Sequence, residues 1–323
     1  MIRKVEKVIG GRTLSIETGR MAKQASGSVL VRYAETTVFC AVTIAPLEEE
    51  NDFFPLTVDY REKTSAAGKF PGGFMKREGR PTTKEILTAR LMDRPIRPLF
   101  PENFVMDTSI QCMVLSADQQ NDPDILAMIS ASACLAVSEV PYFGPTGSVR
   151  IGFIDGQYVV NPTAKDLKTS QLDLVVSGTR DAVTMVEASA SEVSEDIMIQ
   201  AIARAHEVIK EVIELQDELV RQCGKPKMVL EPAPDHSGLR SDLKSRYYHL
   251  FPAALRTQGK HSRKLAVQAV IDKALDEVAP VIEPAPLVPP PGAIDRKVAK
   301  SILTQLSEEA EREMILGGTR TDG

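Results

Sequence analysis

Several patterns that often betray a chemistry are missing from this chain. Its four cysteines (Cys40, Cys112, Cys134 and Cys223) include no CxxC pair. Its four histidines (His206, His236, His249 and His261) show neither ligand spacing nor an accompanying carboxylate cluster, so no zinc site is expected. Dispersed thiols of this kind read as buried, reduced side chains of a cytosolic protein. GxSxG, GxxxxGKS/T and HExxH are all absent, which removes the commonest hydrolase, P-loop and metalloprotease readings. No apolar core follows the opening MIRKVEKVIGGRT, and no run of about 18 apolar residues occurs. Neither a secretory signal nor a membrane-spanning helix is therefore expected, and a cytoplasmic location is. The chain is not basic either. A net charge of −5 and a pI near 5.6 argue against nucleic-acid binding over the whole surface, though not against a local patch.

What is present fits a soluble protein of two domains. The chain has 323 residues, 43% of them hydrophobic and 26% charged. Residues 1–60 read as β structure, with strand-like runs at Arg12–Glu17, Ser28–Tyr33 and Thr37–Ala45. A helix is predicted over 83–99, started by Thr82 or Thr83 and interrupted at Pro95 and Pro98, and a strand over Ser109–Ala117. The stretch from Asp124 to Ser138 is small and apolar on all sides, so it predicts a helix buried on more than one face. Two hairpins follow (Val149–Ile154 with Gln157–Asn161, and Leu172–Gly178 with Ala182–Ala188). A long amphipathic helix then runs from Ser194 or Glu195 to Gln222, closed by Gly224 and Pro226. Strands and helices in this order make an α+β fold. After Lys227 the strand pattern stops, and apolar residues repeat at helical spacing around Leu239–Leu250, Leu265–Val278 and Val298–Met314. Between the second and third lie six prolines in Pro280–Pro291, expected to be an extended spacer.

Charge is not spread evenly. Between Tyr60 and Arg97 there are ten Lys or Arg and four acids, a local +6, so the remainder carries −11. A polyanion site requires this kind of segregation, although a charge run alone is most simply a solvated face. Two details favour the polyanion. In Gly68–Pro81 the loop mixes glycine with Phe74, Met75, Lys76, Arg77 and Arg80, so a ring can stack on a base while cations meet phosphates. Arg90, Arg94 and Arg97 are spaced i, i+4, i+7 along one helical face, with few acids nearby to occupy them. Ser130 sits in an apolar helix without a nearby histidine, and packing explains it. Asp122 and Asp124 flank a proline at a helix start, where capping explains them.

At these residues a family resemblance becomes specific. GGFMKREGRPTTKEILTARLMDRPIRPLFPENF (Gly72–Phe104) resembles the loop and helix of the first RNase PH-like core of bacterial polynucleotide phosphorylases. Gly19–Val42, Asn51–Lys63, Asn121–Pro145, Asn161–Leu167 and Leu172–Glu195 are similar as well. The resemblance implies an RNase PH-like (ribosomal protein S5 domain 2-like) core over 1–230, an all-helical linker domain over 237–316, and a junction at 317–323 to a second core. It implies phosphorolysis of single-stranded RNA from the 3′ end, with inorganic phosphate as co-substrate and nucleoside diphosphates as products, in a ring-shaped homotrimer. Partners in an RNA-degradation complex are also implied. Phe74, Met75, Lys76 and Arg77 would form the pore-constricting loop, and Arg80, Arg90, Arg94 and Arg97 would line the route inward. Many members carry an aromatic where Met75 stands.

The same resemblance implies that the catalytic centre lies elsewhere. The family's second core carries a serine run at the buried helix and an Asp…Asp-x-Lys set for phosphate and Mg2+. Here those positions read Asp122-Pro123-Asp124, Leu167, and Asp173-Leu174-Val175. The second core and the KH and S1 RNA-binding domains that usually follow are not in this sequence, so the chain is expected to stop at the second core's threshold. Two further readings stay open: a catalytically silent RNA-binding and assembly module, and a ribosomal-protein-like fold that binds structured RNA without a pore.

Overall fold

Val- and Thr-rich runs at the N-terminus pair in sequence order. β1 (Arg3–Ile9), β2 (Arg12–Thr18), β3 (Gly27–Tyr33) and β4 (Thr36–Ala45) form an antiparallel meander in the computed structural model, which describes residues 1–47, 53–232, 234–280 and 294–322. β1 is an addition to the expected strands. Its charges suit an edge strand, and only Val5 and Ile9 are buried. β5 (Leu56–Arg61) is a second addition. It runs parallel to β6 (Asp107–Ser116), giving the order β1-β2-β3-β4-β6-β5.

Between β5 and β6 lies α1 (Thr83–Ile96), with Thr82 as its cap. The helix passes through Pro95 and ends one residue later, in a 3-10 turn at Arg97–Leu99. α2 (Pro123–Val137) is buried at every residue, because it packs on β3 and β4 on one side and on a second sheet on the other. A Cβ at Gly27 would lie 2.5 Å from the carbonyl oxygen of Cys134, so glycine permits this close approach. The second sheet contains both expected hairpins: β7 (Gly147–Ile154) with β8 (Gln157–Val160), and β9 (Leu172–Gly178) with β10 (Val183–Ala190), in the order β10-β9-β7-β8. α3 (Glu195–Cys223), capped by Ser194, lays its apolar face on β1, β7 and β9. Cys40, Cys112 and Cys134 are buried free thiols, and Cys223 is half-buried. Ser130 donates to the Ala127 carbonyl oxygen (2.8 Å), as its packing role requires.

These elements belong to one of two compact units, Met1–Glu231; the other is Pro232–Gly323. The second unit has its own core, in which Leu243, Phe251, Leu275, Leu303 and Leu306 are fully buried. It contains α4 (Ser237–Tyr247), α5 (Phe251–Leu255), α6 (Lys260–Val278) and α7 (Arg296–Leu316). The first expected helix is thus divided, with a 3-10 turn at Tyr248–Leu250 leading into Pro252 at the start of α5. The proline-rich spacer lies, from residue 281 onward, outside the described residues.

Candidate nucleic-acid interface

The segment between β5 and α1 is a loop pinched at its base. Thr64 holds both ends. Its carbonyl oxygen accepts from the Lys69 amide (3.1 Å), while its own amide and Oγ1 donate to Glu78 Oε1 (3.0 and 2.9 Å). Arg61 adds a bond to the Gly79 carbonyl oxygen (3.2 Å). Gly68, in the left-handed region at φ 68°, turns the chain out of the 3-10 turn Thr64–Ala67. Gly73 and Lys76 are also left-handed (φ 76° and 47°) and shape the tip. Residues 69–77 contain Lys69, Lys76 and Arg77 and no acid. At the tip Phe74 is 98% exposed and Met75 75%. Among the described residues, no hydrogen bond or ion pair engages the side chains of Lys76, Arg77, Arg80 or Arg90.

α1 begins where the loop ends, and its cap is shared with β5. Thr82 Oγ1 accepts from the Glu85 amide (3.2 Å), and Glu85 Oε2 accepts from the Thr82 amide (2.6 Å). The other oxygen of Glu85 takes the Glu62 amide just past the end of β5 (2.8 Å).

Along α1 the three arginines expected to share one role divide. Arg90 stays unpaired among the described residues. Arg94 pairs with Glu187 of β10 (2.5 Å). Arg97 binds Asp93 through Nε and Nη2 (3.0 and 2.7 Å) and the carbonyl oxygens of Phe54 and Leu56 (3.1 and 3.0 Å). Four of its five N–H donors are therefore used inside the protein. The expectation that acids would be too few to occupy this face is corrected. Asp93 is local, but Glu187 is 93 residues away and arrives through the second sheet.

A second feature gathers at the start of α2. A cavity of about 330 Å³ is lined by Glu62, Lys63, Lys84, Asp122 and Leu167, among others. Lys84 Nζ bridges Glu62 and Asp122 (3.0 and 3.1 Å). Asp122 is the helix cap, as expected. Asp124 differs from expectation. It is 4% exposed and paired with Arg150 of β7, whose Nη1 also reaches both oxygens of Asp173 on β9 (2.7 and 2.8 Å). Burial pushes the Asp124 carboxyl up to about 6, against the pull of Arg150. One guanidinium bridges the two carboxylates. Among the described residues no group of three or more His, Cys, Asp or Glu could hold a metal ion. Arg150, Thr64 and Glu78 carry no sequence signal, since each acts through a partner set by the fold.

Comparison with known proteins adds the family. The 3′ exoribonuclease family, domain 1, matches residues 10–141, and domain 2 of the same family matches residues 144–208. A polyribonucleotide nucleotidyltransferase of Rhodopirellula baltica is 48% identical over 99% of this chain and 42% of its own length. Proteins of the same name from Geotalea uraniireducens (44% identical, 100% of this chain, 45% of its own length) and Thermomicrobium roseum (45%, 98% and 40%) are similar throughout. The chain thus spans less than half the length of these relatives. A solved chain of the Archaeoglobus fulgidus exosome with RNA bound to the active site aligns with TM-score 0.47 and 19% identity, over 68% of this chain and 87% of that one.

Proposed function

The chain belongs to the polyribonucleotide nucleotidyltransferases of the 3′ exoribonuclease family, and we propose that it is the RNA-guiding half of a phosphate-dependent 3′-to-5′ exoribonuclease. In that reaction an oxygen of inorganic phosphate attacks the phosphorus of the last RNA linkage. The 3′ oxygen of the preceding nucleotide leaves, and a nucleoside diphosphate is released; the reverse reaction extends the strand. The assembly is a homotrimeric ring acting in cytoplasmic mRNA decay, alone or with other degradation proteins. Phe74 and Met75 contact bases, and Lys76, Arg77, Arg80 and Arg90 meet phosphates. The observation that carries this reading is the pinched loop, which holds exposed apolar side chains beside cations that are unpaired among the described residues. Base stacking on an aromatic ring contributes about 1–3 kcal/mol. Arg94 and Arg97 are already engaged, so their part is to brace the helix that carries Arg90.

Guiding is separate from cutting in this half. The cavity at α2 gathers Asp122 and Leu167, two of the positions where the resemblance puts catalytic groups, and Arg150 occupies the adjacent carboxylates. Mg2+ and the attacking phosphate belong on this reading to a second core. Alone, the 323-residue chain binds RNA and does not phosphorolyse it. Incubation with poly(A), phosphate and magnesium is expected to release no ADP while filter binding shows RNA retained. Release of ADP above background would overturn the division of labour, and absence of RNA retention would overturn the guiding role.

A further inference from the structure

We propose that Phe70 is a second base-stacking residue of the loop, so that the RNA strand meets two aromatic rings, at positions 70 and 74. The inference rests on the reading of this loop as an RNA contact, and it names a residue that reading does not include.

Phe70 is 91% exposed, and among the described residues it has no ring partner. Some other rings of the unit are exposed, Phe53 and Phe143 at 69% each, but several are packed on one another. Phe54, Phe100, Phe104 and Tyr142 form a cluster with centroids 4.6 to 5.7 Å apart, and Phe153 meets Tyr158 at 5.1 Å. A lone exposed ring on an ordinary surface needs no explanation. The backbone around Phe70 is what sets it apart. Gly68 makes the left-handed turn, and the Lys69 amide is tied to Thr64. Pro71 has a fixed φ and restricts the residue before it to extended conformations. Phe70 therefore stands on the ordered stem of the loop, and binding a base there orders little beyond two side-chain torsions.

Its neighbours supply the rest of a nucleotide site. Lys69 is exposed, and no hydrogen bond or ion pair engages its side chain among the described residues. It is placed to neutralise a phosphate next to a stacked base. Met75, the other exposed apolar residue near the tip, has no π-face to offer. Phe70 and Phe74 are four residues apart, at most about 14 Å along the chain, so both rings address one short stretch of strand.

The protein contains no tryptophan, so Phe70→Trp makes a single-tryptophan probe, excited selectively over the six tyrosines, at the site in question. Titration with a short oligoadenylate is expected to quench its emission, and an abasic strand of the same length and charge is expected not to. Phe70→Ala is expected to weaken oligoadenylate binding roughly tenfold, with thermal unfolding and abasic-strand binding unchanged. Phe74→Trp serves as the control. Quenching in the Phe74→Trp protein with the Phe70→Trp protein silent overturns the proposal and leaves the loop reading standing. Equal quenching of the Phe70→Trp protein by the abasic strand also overturns it, since that would report phosphate and not base. If neither probe responds and the unsubstituted protein does not retain oligoadenylate, the loop reading itself fails.

Discussion

At Asp124 two forces act on one carboxyl. Burial favours the neutral form and Arg150 the charged one, and burial leaves the group at about 6 instead of the ordinary 3.8. The folded state therefore holds a proton that the unfolded state has released between about pH 4 and 6. By linkage, this group's contribution to stability falls as pH rises through that window. Arg150 supplies the largest pull against burial, so removing it moves Asp124 further up. Arg150→Met is expected to cost less at pH 5, where Asp124 is already largely protonated, than at pH 8, where the carboxyl must take up a proton or stay charged without its partner. The difference between the two is expected to reach at most about 3 kcal/mol, since each of the two pH units above about 6 adds about 1.4 kcal/mol. Urea unfolding at the two pH values checks this. A loss of equal size at both would mean that Arg150 acts through packing and not through charge.

The elements are legible in the sequence to different depths, and the reason is physical. α2 stands out because fifteen buried positions demand an apolar run, and α1 because a threonine marks its start and Pro95 its end, both local signals. β1 and β5 escape notice because they are the two edges of the sheet, where burial on one side at best leaves little alternation to read. The loop's basic and aromatic content is plain, yet its shape is not, because Thr64 and Glu78 meet across fourteen residues. Arg94 and Glu187, or Arg150 and Asp124, are more distant still, and no periodicity records such pairs. The pinch itself is open to test. Glu78→Ala and Glu78→Gln both remove a negative charge beside the proposed RNA contact, but only glutamine keeps an acceptor for Thr64. RNA affinity is expected to be several-fold lower for the alanine variant than for the glutamine variant, with little change in Tm for either. Glu85→Ala, by contrast, breaks the α1 cap and is expected to lower stability by about 1–2 kcal/mol. Equal affinities for the two Glu78 variants would show that the tie does not shape the loop.

Taken whole, the chain is acidic and yet concentrates +6 between Tyr60 and Arg97, a distribution that would repel a polyanion from most of the surface and draw the proposed RNA strand to one region. The fold then divides that positive charge into two kinds. Lys76, Arg77 and Arg80 are unpaired among the described residues, whereas Arg94 and Arg97 are engaged by Glu187 and Asp93. Cations that meet phosphates release counterions, and for single strands each contact adds about 0.7 to the slope of log affinity against log salt. Replacing Lys76, Arg77 and Arg80 together by alanine is expected to weaken RNA binding and to flatten that slope by about 2. Replacing Arg94 and Arg97 is expected to leave the slope almost unchanged and to lower stability instead, chiefly through Arg97 and its two carbonyl contacts. Binding measured across a range of salt concentrations separates these outcomes. An unchanged slope in the triple variant would remove the loop as the polyanion site. A flattened slope in the Arg94 and Arg97 variant would mean that these ion pairs open when RNA arrives, and that the charge available to RNA is larger than the free side chains alone supply.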